Sequence, residues 1–154
     1  YLSNCYKKAM KVVIALGSNL GDRTSYIDQA VAQLSQVITV LKVSSKIETE
    51  PVSEIAQPNY LNAVLIGDTQ LDAENLLKKM QEIETNLGRV RNGTKWAART
   101  IDLDLIIFGD NQIDTKQLKV PHPLAFQRDF VLKPWLEIDP DGEIPGKGAI
   151  KLLI

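Results

Sequence analysis

Two aspartates with a spacing suited to metal binding stand in the segment Arg99-Thr-Ile-Asp-Leu-Asp-Leu-Ile106. The alternation predicts a strand in which Asp102 and Asp104 point to one face and the aliphatic residues to the other. Carboxylates at positions i and i+2 lie roughly 7 Å apart, given a rise of about 3.3 Å per residue. Oxygen ligands so arranged suit one or two hard cations, and Mg²⁺ takes one or two carboxylates beside water and phosphate oxygens. The alternative is a polar face on an edge strand, neutralised by Arg or Lys.

A basic segment leads directly into these aspartates. Residues 88–99 contain Arg89, Arg91, Lys95 and Arg99, together with one Trp and no acid. Cationic side chains beside a carboxylate-bound metal suit phosphoryl transfer, because they spread positive charge over the phosphate oxygens. The alternative is a solvated loop whose charges only aid solubility.

Length and composition limit the class of protein. The chain has 154 residues, with 18 Lys and Arg against 19 Asp and Glu, which fits one domain and argues against wholesale binding to nucleic acid or a membrane surface. The lone Cys5 excludes an internal disulfide framework and a multi-cysteine zinc site. The apolar runs Val12–Leu16 and Leu105–Phe108 are far shorter than the roughly 18 residues that cross a bilayer. We therefore expect a cytoplasmic protein, with residues 1–10 as an arm, tag or fusion remnant and residues 11–154 as a single domain.

Hydrophobic periodicity predicts the elements that position the aspartates. In chain order these are a buried strand at Lys11–Leu16, a helix with an apolar stripe from Ile27 to Val37, a half-exposed strand at Thr39–Glu48, a strand at Tyr60–Ile66 ended by Gly67-Asp68, a helix at Ala73–Leu87 capped by Gly88, the strand Thr100–Phe108, a short helix from about Leu124, and a C-terminal strand and helix. The first six elements have the order of a ferredoxin-like α+β sandwich. We expect one mostly antiparallel sheet with helices packed on one face.

Several other residues have two interpretations each. Gly17-Ser-Asn-Leu-Gly21 lacks the Lys-Ser/Thr of a P-loop and the third glycine of a dinucleotide fingerprint, so it predicts a tight turn. His122, the single histidine, is either a structural residue or a phosphate donor. Tyr60 and Asn62 share a strand face, where they either bind a heterocycle or finish the sheet edge. Phe130 is expected in the core.

One family matches these features together. Lys95-Trp-Ala-Ala-Arg-Thr-Ile-Asp-Leu-Asp-Leu-Ile106 resembles the signature of the 6-hydroxymethyl-7,8-dihydropterin pyrophosphokinases, enzymes of folate biosynthesis. Further segments agree in order and spacing, namely Ala15-Leu-Gly-Ser-Asn-Leu-Gly21, Gln57-Pro-Asn-Tyr-Leu-Asn62, Ile83-Glu84, Gly88-Arg-Val-Arg91, Val120-Pro-His122, and Arg128 with Phe130. The resemblance extends from about Lys11 to Pro140.

The resemblance implies transfer of pyrophosphate from ATP to the hydroxymethyl group of the pterin, with release of AMP. It implies two Mg²⁺ ions, small-molecule partners rather than nucleic acid or membrane, and a fusion or association with other folate enzymes. Its catalytic set is Arg89, Arg99, Asp102 and Asp104, of which the aspartates hold the metal. Its ATP-binding set is Gln81, Glu84, Arg89, Arg91, Trp96, Arg99, His122 and Arg128. Its pterin-binding set is Thr49, Glu50, Val52, Tyr60, Asn62 and Phe130.

Two other classes share part of the pattern. An RRM-like RNA-binding module has the same order of elements, but it needs exposed aromatic residues on the two central strands. A metal-dependent nucleotidyltransferase or nuclease would use the same aspartate pair. Such an enzyme would not require Tyr60, Asn62 and Phe130 as a set.

Overall fold

The computed structural model of the chain describes residues 8–51, 56–88 and 100–154. Within these ranges the helices and strands are β1 Met10–Ser18, α1 Arg23–Leu34, β2 Thr39–Val43, β3 Ile47–Thr49, β4 Tyr60–Thr69, α2 Ala73–Asn86, β5 Asp102–Phe108, β6 Ile113–Asp114, β7 Lys119–Val120, α3 Asp129–Ile138, β8 Glu143–Ile144 and β9 Gly148–Ala149. The predicted order up to β5 is confirmed, with the strand expected over Thr39–Glu48 divided in two. After β5, two short hairpins flank α3. No helix in the described ranges is both long and apolar enough to span a membrane.

The main sheet has the strand order β2-β4-β1-β5, and β3 pairs with the other end of β4. Every pairing is antiparallel. The predicted ferredoxin-like α+β architecture is confirmed. β1 is a central strand between β4 and β5, and its residues Val12, Val13 and Ile14 are buried on the two faces of the sheet, as its continuous apolar run predicts.

One face of the sheet packs against α1 and α2. Val12, Ile14 and Leu16 of β1 lie here, in the same cluster as Ile27 of α1 and Leu76 of α2. All five side chains are buried. Their spacing follows the period of two in the strand and of about 3.6 in the helices, which is why these two helices can be predicted from the sequence.

The opposite face packs against α3, so the prediction that the helices share one face is wrong. Val13 of β1, Val64 of β4 and Ile107 of β5 form a second buried cluster with Val131 and Trp135 of α3. The alternate residues of these strands are apolar as well, and leaving them in water would cost about 25 cal/mol for each Å². A helix on this side removes that cost, and it also supplies a wall for the site described below.

Two strand boundaries and the regularity of a third strand differ from the prediction. Gly17 and Ser18 continue β1 rather than forming a turn, and Gly67 lies inside β4 instead of ending it. A Cβ on Gly67 would come within 2.7 Å of the Thr39 carbonyl oxygen, so this glycine allows the close approach of β2. In β5, Ile14 and Val13 pair with Leu105 and Ile107, which leaves Ile106 as an extra residue and ends the strict alternation at a β-bulge.

Helix α2 agrees with its prediction at both ends. The Asp72 carboxylate accepts a hydrogen bond of 2.8 Å from the backbone N–H of Asn75, which caps the first turn. At the other end Gly88 has a φ of +89°, a conformation in which glycine is favoured because it has no Cβ. The same helix carries Gln81 and Glu84.

Candidate active site

A cleft lies on the face of the sheet that α3 partly covers. Gly17 of β1 stands directly between Asn62 of β4 and Asp102 of β5, and Ala15 stands next to Asp104. Strands are about 4.8 Å apart, so the backbones of Asn62 and Asp102 are separated by about 10 Å across the sheet. Because Gly17 and Ala15 have little or no side chain, they leave an empty volume of ≈ 720 Å³ above this part of the sheet, open to solvent.

Two aromatic side chains line the cleft. Tyr60 comes from the first position of β4, and Phe130 comes from the first turn of α3. The Arg128 guanidinium lies 5.4 Å from the centre of the Phe130 ring, which is within the range of a cation–π contact. Phe130 is half-buried rather than a core residue. Flat apolar surface of this kind suits a planar heterocycle.

The amide of Asn62 is held in one orientation. Its Nδ2 donates a hydrogen bond of 2.6 Å to the Thr49 hydroxyl on the neighbouring strand β3. Its Oδ1 lies on the side of Gly17, where a Cβ would be 3.3 Å away from it. The amide oxygen is therefore a hydrogen-bond acceptor beside Gly17 at the bottom of the cleft. Asn62 has an exposed fraction of only 6%.

Asp102 and Asp104 lie on the cleft side of β5, as the alternation predicts. Both are half-buried. In the part of the chain that the structure describes, no group of three or more His, Cys, Asp or Glu side chains is placed to hold a metal. A pair of carboxylates is nevertheless the donor set that Mg²⁺ uses when water and substrate phosphates supply the remaining ligands. Among the described residues, the donor set at this cleft therefore fits magnesium rather than a metal held entirely by protein ligands.

His122 is held as a neutral donor near the aspartates. Its backbone N–H donates to the Ile106 carbonyl at 2.8 Å, and its Nδ1 accepts from the Leu124 backbone N–H at 3.2 Å. Burial lowers the pKa of His122 and the positive charge of Arg128 lowers it further, whereas Asp102 opposes the shift. Because Nδ1 is an acceptor, the proton of the neutral ring is on Nε2.

A second cleft shares one carboxylate with the first. It has an empty volume of ≈ 660 Å³, and its polar lining includes Asp104, His122, Lys116 and Lys119. Its apolar lining includes Leu77 of α2. Apolar surface combined with cationic side chains suits a ligand that has both a base and phosphate groups. The two clefts meet at Asp104.

Most of the residues predicted from the sequence come together here. The first cleft contains Thr49, Glu50, Tyr60, Asn62, Asp102, Asp104, Arg128 and Phe130. Gln81 is exposed on α2, one helical turn beyond Leu77 of the second cleft. Glu84 is buried, and its carboxylate contacts β5. Val52, Arg89, Arg91, Trp96 and Arg99 lie outside the described residues.

Sequence reasoning missed part of the cleft lining. Gln57, Ala15 and Gly17 border the first cleft, and none of them was predicted as a site residue. The available signal was the change from large to small residues at alternate positions of β1. Asn19, buried in the segment read as a tight turn, donates to the Gln57 side chain at 2.6 Å and to the Pro58 carbonyl at 3.1 Å. It thereby fixes the loop that precedes Tyr60.

Comparisons with known proteins agree with this geometry. The sequence profile of the family 7,8-dihydro-6-hydroxymethylpterin-pyrophosphokinase (HPPK) matches residues 13–140. The chain belongs to this family. A Bacillus subtilis 2-amino-4-hydroxy-6-hydroxymethyldihydropteridine pyrophosphokinase is 49% identical over 127 residues, covering 81% of this chain and 75% of the relative. The Aquifex aeolicus enzyme of the same name is 42% identical over 130 residues, covering 84% and 81%. The predicted family, and with it an ATP-dependent pyrophosphokinase, is confirmed.

Some relatives of this pyrophosphokinase are longer proteins. A folate synthesis bifunctional protein of Arabidopsis thaliana is 38% identical over 129 residues, which cover 83% of this chain but 27% of the relative. A crystal structure of an HPPK-DHPS in complex with substrates superposes with a TM-score of 0.74 over 95% of this chain, at 12% identity. The Plasmodium falciparum HPPK-DHPS gives a TM-score of 0.71 over 96% of this chain, at 13% identity. The chain spans less than half of each solved chain, 43% and 44%, and these similarities show the fold.

Proposed function

We propose that this chain transfers pyrophosphate from ATP to 6-hydroxymethyl-7,8-dihydropterin, giving the pterin diphosphate and AMP in folate biosynthesis. The main support is that Asp104 lines both clefts. Asp104 is therefore common to the sites of two ligands between which a group could be transferred. Membership of the pyrophosphokinase family supplies the identity of the two ligands.

The pterin occupies the first cleft, with its ring between Tyr60 and Phe130. Asn62 Oδ1 accepts a hydrogen bond from the N–H groups of the ring, because the Thr49 hydroxyl holds the amide with its oxygen toward Gly17. The backbone from Thr49 to Val52, with Glu50, completes this end of the pocket. Asn62 and Asp102 flank Gly17 on neighbouring strands, so a pterin bound at Asn62 directs its hydroxymethyl group toward the aspartates.

ATP occupies the second cleft, with its phosphates directed toward Asp104. Lys116 supplies positive charge at the cleft, whereas the ammonium of Lys119 is paired with the Asp114 carboxylate. His122 donates from Nε2 to a phosphate oxygen. Arg128, which lines the first cleft near the aspartates, contacts the transferred group. From the family resemblance we add further ATP ligands, namely Gln81, Arg89, Arg91, Trp96 and Arg99. Glu84, which the resemblance also places in the ATP-binding set, is buried against β5 and is given a different role below.

Asp102 and Asp104 would hold Mg²⁺, and we propose two ions. Bound there, Mg²⁺ supplies neutralisation of the phosphate charge between the two substrates. The remaining task of this chain is positioning. Tyr60, Phe130 and Asn62 hold the pterin so that its hydroxyl oxygen can form a bond with the β-phosphorus. As that bond forms, the bond from the β-phosphorus to the α,β-bridging oxygen breaks, AMP leaves with the bridging oxygen, and the hydroxyl proton passes to water or a phosphate oxygen. A loose transition state of this kind requires no strong general base.

The RNA-binding alternative is disfavoured by the sheet face. An RRM exposes aromatic rings on both of its central strands. Here the central strands are β4 and β1, and β1 presents Ala15 and Gly17 rather than an aromatic residue on the cleft side. The neighbouring edge strand β5 presents two carboxylates. These carboxylates repel a phosphate backbone unless a cation is bound. The nucleotidyltransferase alternative leaves the aromatic pair and the oriented Asn62 without a role.

The test is AMP release from ATP with and without the hydroxymethyldihydropterin. We expect release that requires both the pterin and Mg²⁺, and a Phe130→Ala variant with a pterin KM at least about tenfold higher. AMP or pyrophosphate release that is independent of the pterin would contradict the proposal. We further infer a cytoplasmic location, where ATP and Mg²⁺ are supplied, and an association with other folate enzymes, as in the longer relatives.

A further inference from the structure

Glu84 is a buried carboxylate in a place where an uncharged residue would pack more easily. It lies on α2 with an exposed fraction of 3%. Removing a charge from water costs several kcal/mol unless hydrogen bonds or opposite charges compensate. Its Oε2 accepts a hydrogen bond of 2.9 Å from the backbone N–H of Leu103. Leu103 stands between the two aspartates of the site.

The position of β5 explains why this N–H needs an acceptor. β5 is the last strand of the main sheet and pairs with β1 on one side. In an antiparallel pair the backbone groups of successive residues point alternately toward the partner strand and away from it. The Leu103 N–H bonds to Glu84, so it points away from β1, and Leu103 itself is buried at 5% exposure. A buried backbone N–H without an acceptor would be costly, and Glu84 supplies the acceptor.

This hydrogen bond acts on the geometry of the aspartates. The Leu103 nitrogen belongs to the peptide unit that joins Asp102 to Leu103, so fixing it restrains the backbone between the two carboxylates. The Leu103 side chain packs on the other face of the sheet, in the cluster that contains α2. β5 is therefore restrained at its edge by Glu84 and on the face opposite the cleft by packing of Leu103, while both aspartates face the cleft.

We infer that Glu84 is a positioning residue for the cation site: it holds the Asp102–Asp104 backbone in the geometry that binds Mg²⁺, and it acts through Leu103 rather than through contact with the nucleotide. The inference rests on the proposed function of the aspartates. Partners that orient metal ligands in this indirect way typically change metal affinity by 10–100-fold when they are removed.

The experiment compares Glu84→Ala, which removes the acceptor, with Glu84→Gln, which keeps an acceptor oxygen in the same place. Glu82→Ala is the matched control, because Glu82 is exposed on the same helix and pairs only loosely with Lys79, at 3.5 Å. Each variant is titrated with Mn²⁺ in the presence of a non-hydrolysable ATP analogue. Hydrogen exchange of the Leu103 amide is measured without metal or nucleotide, with the Ile14 amide in the central strand as reference.

We expect Glu84→Ala to weaken Mn²⁺ binding 10–100-fold and to speed exchange at Leu103 but not at Ile14. Glu84→Gln should stay within about threefold of the wild-type Mn²⁺ affinity, and the control should be unchanged. Wild-type metal affinity in Glu84→Ala overturns the inference, as does a raised KM for ATP in both variants with unchanged metal affinity. Equal acceleration of exchange at both amides would indicate a global loss of stability and would also overturn the inference.

If Glu84→Ala does not fold, Glu84→Gln provides the test, and fast exchange at Leu103 in that variant overturns the inference. None of these readouts uses the pterin, so failure of the proposed reaction would be seen separately, as absent AMP release in the wild type.

Discussion

Replacing Gly17 by alanine should weaken pterin binding while leaving the fold as stable as before. Gly17 is not among the glycines with a positive φ, so alanine fits its backbone without strain. The added Cβ would lie 3.3 Å from Asn62 Oδ1 and 3.4 Å from Tyr60 Cδ1. The contact with Cδ1 is slightly shorter than the optimum of about 3.5–4.0 Å between carbon atoms, and at both contacts the neighbouring side chain must shift by a few tenths of an ångström. In the free protein the two side chains can move a few tenths of an ångström toward the open cleft.

The magnitudes for folding and for binding follow separately. A compatible Gly→Ala change stabilises a protein by about 0.4–1 kcal/mol through the unfolded chain, which offsets the close contacts, so the net change in stability should stay below about 1 kcal/mol. With a pterin in the cleft, the side chains can no longer move outward. Overpacking then costs about 1–3 kcal/mol, which corresponds to a pterin Kd about 5–150-fold higher.

The assay is calorimetric titration of the pterin in the presence of Mg²⁺ and a non-hydrolysable ATP analogue, beside thermal unfolding. Gly67→Ala is the contrasting control: its Cβ would meet the Thr39 carbonyl oxygen at 2.7 Å and Ile38 Cδ1 at 2.9 Å. It should lower Tm and leave the pterin Kd of the folded protein unchanged. Wild-type pterin affinity in Gly17→Ala would refute the role assigned to the cleft floor. A parallel loss of affinity and stability would refute it as well.

Three further outcomes are expected. Asp102→Ala and Asp104→Ala should each lower kcat by at least about 100-fold, because the change removes a half-buried carboxylate at the cleft. The circular dichroism spectrum should be unchanged. Near-normal turnover in either variant would exclude the assignment of these aspartates as metal ligands. The folded protein lowers the pKa of His122, so the unfolded chain takes up the proton first as pH falls below about 6.5. The free energy of unfolding therefore declines between that pH and the lower pKa of the folded state. In urea titrations at several pH values, His122→Asn should abolish this part of the decline, and a pH profile identical to that of the wild type would contradict the prediction. Trp135→Phe removes the hydrogen bond of 2.8 Å from Nε1 to Asp139. It should lower the free energy of unfolding, measured by urea denaturation, by about 1–3 kcal/mol. A loss of less than about 0.5 kcal/mol, the lower limit for a typical hydrogen bond, would contradict the prediction.

Features set by neighbours in the chain could be predicted from the sequence. The common face of Asp102 and Asp104 follows from the period of two, and the bounds of α2 follow from its apolar period and from Gly88. Both depend on local geometry that tertiary contacts did not override. The family resemblance added Tyr60, Asn62 and Phe130 to the site, and the structure brings all three to one cleft.

Features set by distant segments could not be predicted in this way. The sequence predicts a short helix from about Leu124, but nothing in its own period indicates which face of the sheet α3 covers. That choice decides whether Phe130 reaches the cleft. The roles of Gly17 and Gly67 likewise depend on the register of neighbouring strands, because a glycine inside a strand looks like a turn until the partner strand is known.

The chemistry of the site can be inferred from the chain alone, because it contains paired carboxylates, a basic segment, and aromatic and amide residues in an order that matches one family. Side-chain type and short-range periodicity are sufficient for that, since both are written in the chain. Which of these residues meet in the site depends on the tertiary structure. It set Asn62 and Asp102 on either side of Gly17, made Asp104 common to two clefts, and placed the carboxylate of Glu84 against the Leu103 N–H. These relations join residues far apart in sequence, and they exist only once strand register and helix packing have been fixed by burial of both faces of the sheet.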